Sequence, residues 1–136
     1  MDDVSVLQND GATDAELNVL FSAAWPSHEP REFQPALRHS LTYLCARHAG
    51  RLIGFVNVAW DGGSHAFLLD PTVHPDFQHR GIGTRLIREC VEVAQDRGVE
   101  WLHVDFEPQL APFYRGAGFH PTEGGLIRLH PPQTSR

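Results

Sequence analysis

The sequence predicts a mixed α/β domain, and three observations lead there. Runs rich in β-branched and aromatic residues recur at Val4 to Gln8, Leu41 to His48, Arg51 to Trp60, Ala66 to His74 and Trp101 to Phe106. Between the last two, from Gly81 to Arg97, Ile82, Leu86, Ile87, Cys90, Val91 and Ala94 recur at helical spacing. The 136 residues, 41% hydrophobic and 21% charged, are enough for one buried core of ordinary globular composition.

Each element has its own local signal. Val4 to Gln8 reads as a first strand, and Thr13-Asp14-Ala15-Glu16 as a capping box opening a helix through about Trp25. Pro26 to Pro35, rich in Pro, His and Glu, reads as a loop, with a short helix from Phe33 to Ser40. Ala49-Gly50 joins the next two strands as a hairpin, and Asp61-Gly62-Gly63 turns the chain into a fourth. Gly98 suits the stop of the long helix. Pro108 suits the first position of a short helix to about Arg115, which Pro112 should weaken. After Gly116 and Gly118, strands are expected near Phe119 and from Gly125 to Leu129, and residues 131–136 are expected to form a frayed tail. The expected order is β-α-α-β-β-β-α-β-α-β-β.

Composition excludes several functions. A formal charge of -6 argues against general nucleic-acid binding, which needs a clustered basic surface. The 11 basic residues are all arginines, so neither a Schiff-base lysine nor a Walker A loop is available. No apolar run reaches the roughly 20 residues that span a bilayer, and the acidic start Met1-Asp2-Asp3 lacks the pattern of a signal peptide. Cys45 and Cys90 lie far apart and form no CxxC, so a reducing cytoplasm is expected. His74 and His79 have no recognised ligand spacing, and no metal is expected.

The most informative stretch is Gln78-His79-Arg80-Gly81-Ile82-Gly83, where an extended run meets a glycine turn and a helix begins without a capping side chain. Such a start leaves backbone N–H groups unpaired, carries partial positive charge and lets a ligand come close at the glycines. It is an anion site, most naturally for a pyrophosphate. Arg80 and Arg85 are expected to help neutralise the phosphates, with a solvated helix face as the competing reading.

This turn, together with Phe113-Tyr114-Arg115-Gly116-Ala117-Gly118-Phe119 and the order of elements, resembles the GNAT superfamily of N-acetyltransferases along essentially the whole chain. The resemblance implies a single acyltransferase domain over residues 1–130. Its sheet would be mixed and mostly antiparallel, with six to seven strands, about four flanking helices and splayed fourth and fifth strands. It also implies acetyl-CoA as cosubstrate. The pyrophosphate would lie on Gln78, His79, Arg80, Gly81, Ile82, Gly83 and Thr84, and the pantetheine arm along Thr72 and Val73, with Phe113 beside the cofactor.

By the same resemblance Tyr114 would protonate the departing thiolate, its alternative being a half-buried packing tyrosine. Asp70 and Glu107 are the carboxylate candidates on the acceptor side. Structural roles compete for both: local backbone bonding for Asp70 and a helix-start acid for Glu107. Glu107 replaces a common Asn, and Pro71 has no N–H to offer the thioester carbonyl. Trp25, His28 and Phe33 would wall the acceptor pocket or pack under a loop. The expected reaction is direct acetylation of a small primary amine, and many family members are homodimers. The alternatives are a protein or peptide N-acetyltransferase and a non-catalytic acyl-CoA-binding module.

Overall fold

The computed structural model describes residues 3–130, so the expected tail at 131–136 lies outside the described residues. The described chain divides at Val104/Asp105 into two compact units.

The first unit is a five-stranded sheet in the order β1-β2-β3-β4-β5, formed by β1 (Val4–Gln8), β2 (Ser40–His48), β3 (Arg51–Trp60), β4 (His65–Val73) and β5 (Trp101–Val104). The first four strands form an antiparallel meander, and β5 runs parallel to β4. A parallel neighbour needs a crossover, here supplied by the helix Ile82–Asp96. At the β2–β3 hairpin Ala49 and Gly50 both take positive φ, 51° and 80°, the geometry that two-residue turns favour. At the next hairpin the Asp61 carboxylate accepts bonds from the N–H groups of Gly63 (2.7 Å) and His65 (3.2 Å).

Helix α1 (Asp14–Ala24) opens on the expected capping box. Thr13 Oγ1 accepts from the Glu16 N–H (3.1 Å), while Glu16 Oε1 accepts from the Thr13 N–H (3.0 Å). With the short α2 (Gln34–Leu37) it forms an apolar cluster in which Leu17, Leu20, Phe21, Phe33 and Leu37 join Tyr43, Cys45, Leu52 and Phe55 of the sheet. Helix α3 (Ile82–Asp96) buries Ile82, Leu86, Ile87, Cys90 and Ala94, the periodic residues apart from Val91. It approaches the sheet at Gly54, where an added Cβ would lie 3.0 Å from Ala46 Cβ and 3.3 Å from Leu86 Cδ1. Glycine there is a packing requirement.

Two features of β4 interrupt the regular ladder. Opposite Val56, β4 carries two residues, Asp70 and Pro71, so the ladder with β3 shifts register between Phe55/Thr72 and Asn57/Leu69. This bulge accommodates proline, which cannot donate to a ladder. Pairing of β4 with β5 ends at Leu68/Val104, and Leu69 to Val73 have no strand partner on that side among the described residues.

The second unit holds a 3-10 turn (Pro108–Leu110) and α4 (Ala111–Gly116). Pro112 lies in the first turn of α4, so it starts this helix where it was expected to weaken a longer one. The expected sixth and seventh strands, near Phe119 and from Gly125 to Leu129, are not formed. An isolated β-rich run becomes a strand only when another strand takes its backbone groups. These residues have no such partner among the described residues, and Leu126, Ile127 and Leu129 are largely exposed.

Candidate active site

The backbone itself builds the turn before α3. A 3-10 turn (Pro75–Phe77) leads out of β4, its start held by the Asp76 N–H donating to His74 Nδ1 (3.1 Å). His79 and Gly81 then adopt φ of 64° and 83°, a region that glycine enters freely and histidine tolerates better than bulky residues do. Gly81 caps α3 with no side-chain bond. The first helical bond runs from the Arg85 N–H to the Gly81 carbonyl (3.0 Å), which leaves the N–H groups of Ile82, Gly83 and Thr84 without intrahelical acceptors. A Cβ at Gly81 would meet nothing within 4 Å. Open space, free donors and the positive helix end suit a diphosphate.

The side chains at the turn are partly committed. Gln78 Nε2 donates to the Val73 carbonyl (3.2 Å), tying the turn to the end of β4. The Arg80 guanidinium lies 5.2 Å over the Phe77 ring. Arg85 is bound elsewhere, donating through Nη1 to the Val4 carbonyl (2.8 Å) with Glu89 3.7 Å from Nε. Its expected phosphate role is thereby displaced by a structural one.

A second constellation surrounds the β4 bulge. Asp70 adopts φ 56°, a left-handed conformation that costs a non-glycine residue about 1 kcal/mol and recurs where function fixes the backbone. Thr72 Oγ1 donates to the Asp70 carbonyl (3.0 Å) and accepts from Trp25 Nε1 (3.1 Å). The Trp25 ring remains half exposed. Arg31 Nη2 lies 3.3 Å from Asp70 Oδ2, and its guanidinium sits 4.5 Å over the Phe33 ring. The sequence alone did not single out Arg31, because a lone cation in a Pro- and Glu-rich loop carries no periodic or motif signal.

Of the three residues expected to wall the acceptor pocket, Trp25 stands at the bulge while Phe33 belongs to the buried core. His28 is half-buried, with Nε2 2.8 Å from Asn18 Oδ1. Burial lowers its pKa, and the nearby Arg31 charge lowers it further. Thr72 is buried, its hydroxyl engaged on both sides by Asp70 and Trp25 and its backbone paired in register with Phe55 of β3.

In the second unit Tyr114 is buried, stacked on Phe106 (4.7 Å) and edge-on to Phe113 and Phe119. Burial raises its pKa, so it stays protonated at neutral pH. Glu107 precedes the 3-10 turn without a side-chain cap bond and accepts from Gln109 Nε2 (2.8 Å). No three His, Cys, Asp or Glu side chains converge into a metal cluster among the described residues.

The acetyltransferase (GNAT) family model matches residues 12–119. The chain belongs to that family. It is 28% identical over 114 residues to the chloroplastic GCN5-related N-acetyltransferase 1 of Arabidopsis thaliana, covering 82% of this chain and 58% of that relative. An N-acetyltransferase of Porphyra purpurea is 28% identical over 102 residues, 72% of this chain and 59% of the relative. The chain therefore spans less than two thirds of the length of these curated relatives. A GNAT-family acetyltransferase from Streptococcus pneumoniae superposes with a TM-score of 0.78 at 22% identity, covering 93% of this chain and 99% of that one. An aminoglycoside N-acetyltransferase in complex with CoA superposes with a TM-score of 0.74 at 19% identity, covering 96% of each chain. These structural likenesses establish the shared GNAT-like fold, here with five strands and four helices among the described residues. No helix among the described residues is long and apolar enough to cross a membrane.

Proposed function

We propose that this protein is an acetyl-CoA-dependent N-acetyltransferase acting on a small primary amine, its two units forming one acyltransferase domain. The carrying observation is the uncapped start of α3 at Gly81, with free N–H groups and open space, next in the chain to a β4 segment that lacks a partner strand on the β5 side among the described residues. The family match spans the division between the units. The aminoglycoside N-acetyltransferase among the structural neighbours is the precedent for a small-molecule acceptor.

Acetyl-CoA supplies an activated thioester, and the chain's own groups bind, orient and move protons. The N–H groups of the Gln78-to-Thr84 turn would hold the pyrophosphate, and the open β5-facing edge of β4 near Thr72 and Val73 would hold the pantetheine arm as an added strand does. A primary amine with pKa about 10.4 must lose a proton first, at a cost of roughly 4 to 5 kcal/mol at neutral pH. Asp70 and Glu107 are the carboxylates proposed to orient the amine or relay that proton through water. When the amine nitrogen bonds to the acetyl carbon and the C–S bond breaks, Tyr114 would supply a proton to the departing thiolate. Pro71 has no N–H, so a neighbouring group or water must polarise the thioester carbonyl.

Direct transfer fits the cysteines. Both are fully buried. Burial and the nearby Asp10 push the Cys45 thiol far above its usual range, and burial pushes Cys90 up to about 12. Neither is a ready acetyl acceptor. Two free thiols also favour a reducing compartment such as the cytoplasm. A peptide acceptor is the second reading, favoured by the exposed Phe67, Leu69 and Trp101 on β4 and β5.

The test is a calorimetric titration with acetyl-CoA, followed by thiol release across a panel of amines. Micromolar binding and amine-dependent release are expected. In Tyr114→Phe, turnover should fall at least roughly ten-fold with acetyl-CoA affinity unchanged. No binding at millimolar acetyl-CoA would overturn the reading.

A further inference from the structure

The loop between α1 and α2 places one cation against the one anion of the β4 bulge. Arg31 is fixed at its backbone: its N–H donates to Asn18 Oδ1 (3.0 Å), and its carbonyl accepts from Asn18 Nδ2 (2.9 Å). Two residues on, the Phe33 N–H donates to Asp14 Oδ1 (3.0 Å). The guanidinium is steadied over Phe33 (4.5 Å) and Phe21 (5.4 Å), geometry within the range of cation–π attraction. Asp70 is fixed as firmly, its carbonyl taken by Thr72 and Thr72 by Trp25. Yet both charged side chains are 49% exposed and share a single contact of 3.3 Å. The other guanidinium N–H groups have no acceptor among the described residues, and neither does Asp70 Oδ1 have a donor.

A lone Asp70 would attract any ammonium. With Arg31 beside it, a simple cationic amine gains less from Asp70 than it would from an unpaired carboxylate. A ligand carrying both an ammonium and a carboxylate gains twice: its carboxylate takes the free fork of Arg31, and its ammonium takes the free oxygen of Asp70. We propose that Arg31 and Asp70 form a two-point site for a zwitterion, so that the acceptor is an amine bearing a nearby carboxylate, as a free amino acid does. The amine's role as acceptor rests on the N-acetyltransferase reading above; the zwitterion site does not.

The test separates the two. The standard amino acids and their matching carboxamides are titrated into the protein saturated with CoA, where no acetyl group is available to transfer. At least one amino acid should bind about ten-fold more tightly than its carboxamide. Arg31→Met should bring that ratio close to one with CoA affinity unchanged, and Arg31→Lys should restore part of it, because charge returns without the fork. Equal binding of amino acid and carboxamide throughout the series, or a preference that Arg31→Met retains, overturns the inference. The wild-type comparison decides it even if a variant folds poorly. Thiol release with acetyl-CoA on the same compounds is read separately: selective binding without release would leave the zwitterion site standing and remove the acetyltransferase reading.

Discussion

The turn from Gln78 to Thr84 and the surface around Asp70 are held by opposite means. The turn is set by backbone: positive φ at His79 and Gly81, a helix without a side-chain cap, and N–H groups left free. Its side chains are secondary, and Arg85 has turned to Val4 and Glu89. Around Asp70 the side chains do the holding. Trp25 reaches Thr72 across 47 positions, and Arg31 reaches Asp70 across 39. A backbone-built site recognises what all members of a ligand class share, such as a diphosphate. A side-chain-built site can change its ligand with one substitution.

The largest effect that would break this contrast is at the turn. Gly81→Val places a β-branched residue at φ 83° and puts atoms into the space open at that position. Acetyl-CoA affinity should fall at least roughly ten-fold by calorimetry, alongside a stability loss of about 1 to 2 kcal/mol. Unchanged affinity would mean that the turn is not the phosphate site.

On the other side, Trp25→Phe removes the indole N–H that bonds Thr72 while keeping an aromatic ring. The expected cost is about 1 kcal/mol of stability and a several-fold fall in kcat/KM for the amine, with acetyl-CoA affinity unchanged. A fall in acetyl-CoA affinity of the same size would show that the two regions act as one.

The smallest effect comes from acid. The Arg47 guanidinium and the Thr13 N–H hold the Glu16 carboxyl at a pKa of about 2, below its ordinary 4.5, and Arg47 also pairs with Asp10 at 2.7 Å. A carboxyl lowered on folding contributes its stability in full above the unfolded pKa and loses it as pH falls through the folded one. Thermal stability should therefore decline between pH 4.5 and 2. Arg47→Met should flatten that decline while lowering stability at neutral pH. Because this cluster anchors the start of α1 to β2, acid should loosen the α1 region before it affects the turn at Gly81.

Legibility follows the same division. The five strands and α3 follow from local patterning, and the hairpins at Ala49-Gly50 and Asp61-Gly62-Gly63 from turn chemistry. The strands expected after Gly118 do not form, because a β-rich run needs a partner that sequence pattern does not reveal. Phe33 was one of three aromatic or histidine residues proposed for the pocket, yet it packs with Phe21 and Phe55. An aromatic in a loop looks the same in sequence whether it faces a ligand or a core.

The sequence by itself determined the meander, the crossover helix and the glycine turn, because φ preference, periodicity and missing caps act over a few residues. Only the tertiary structure decided that Arg31 meets Asp70, that Trp25 locks Thr72 and that Arg85 is bound away from the turn. Those contacts join positions 39, 47 and 81 residues apart. They depend on how the α1–α2 loop, β4 and α3 are carried by the sheet, and no local signal in the chain encodes that placement.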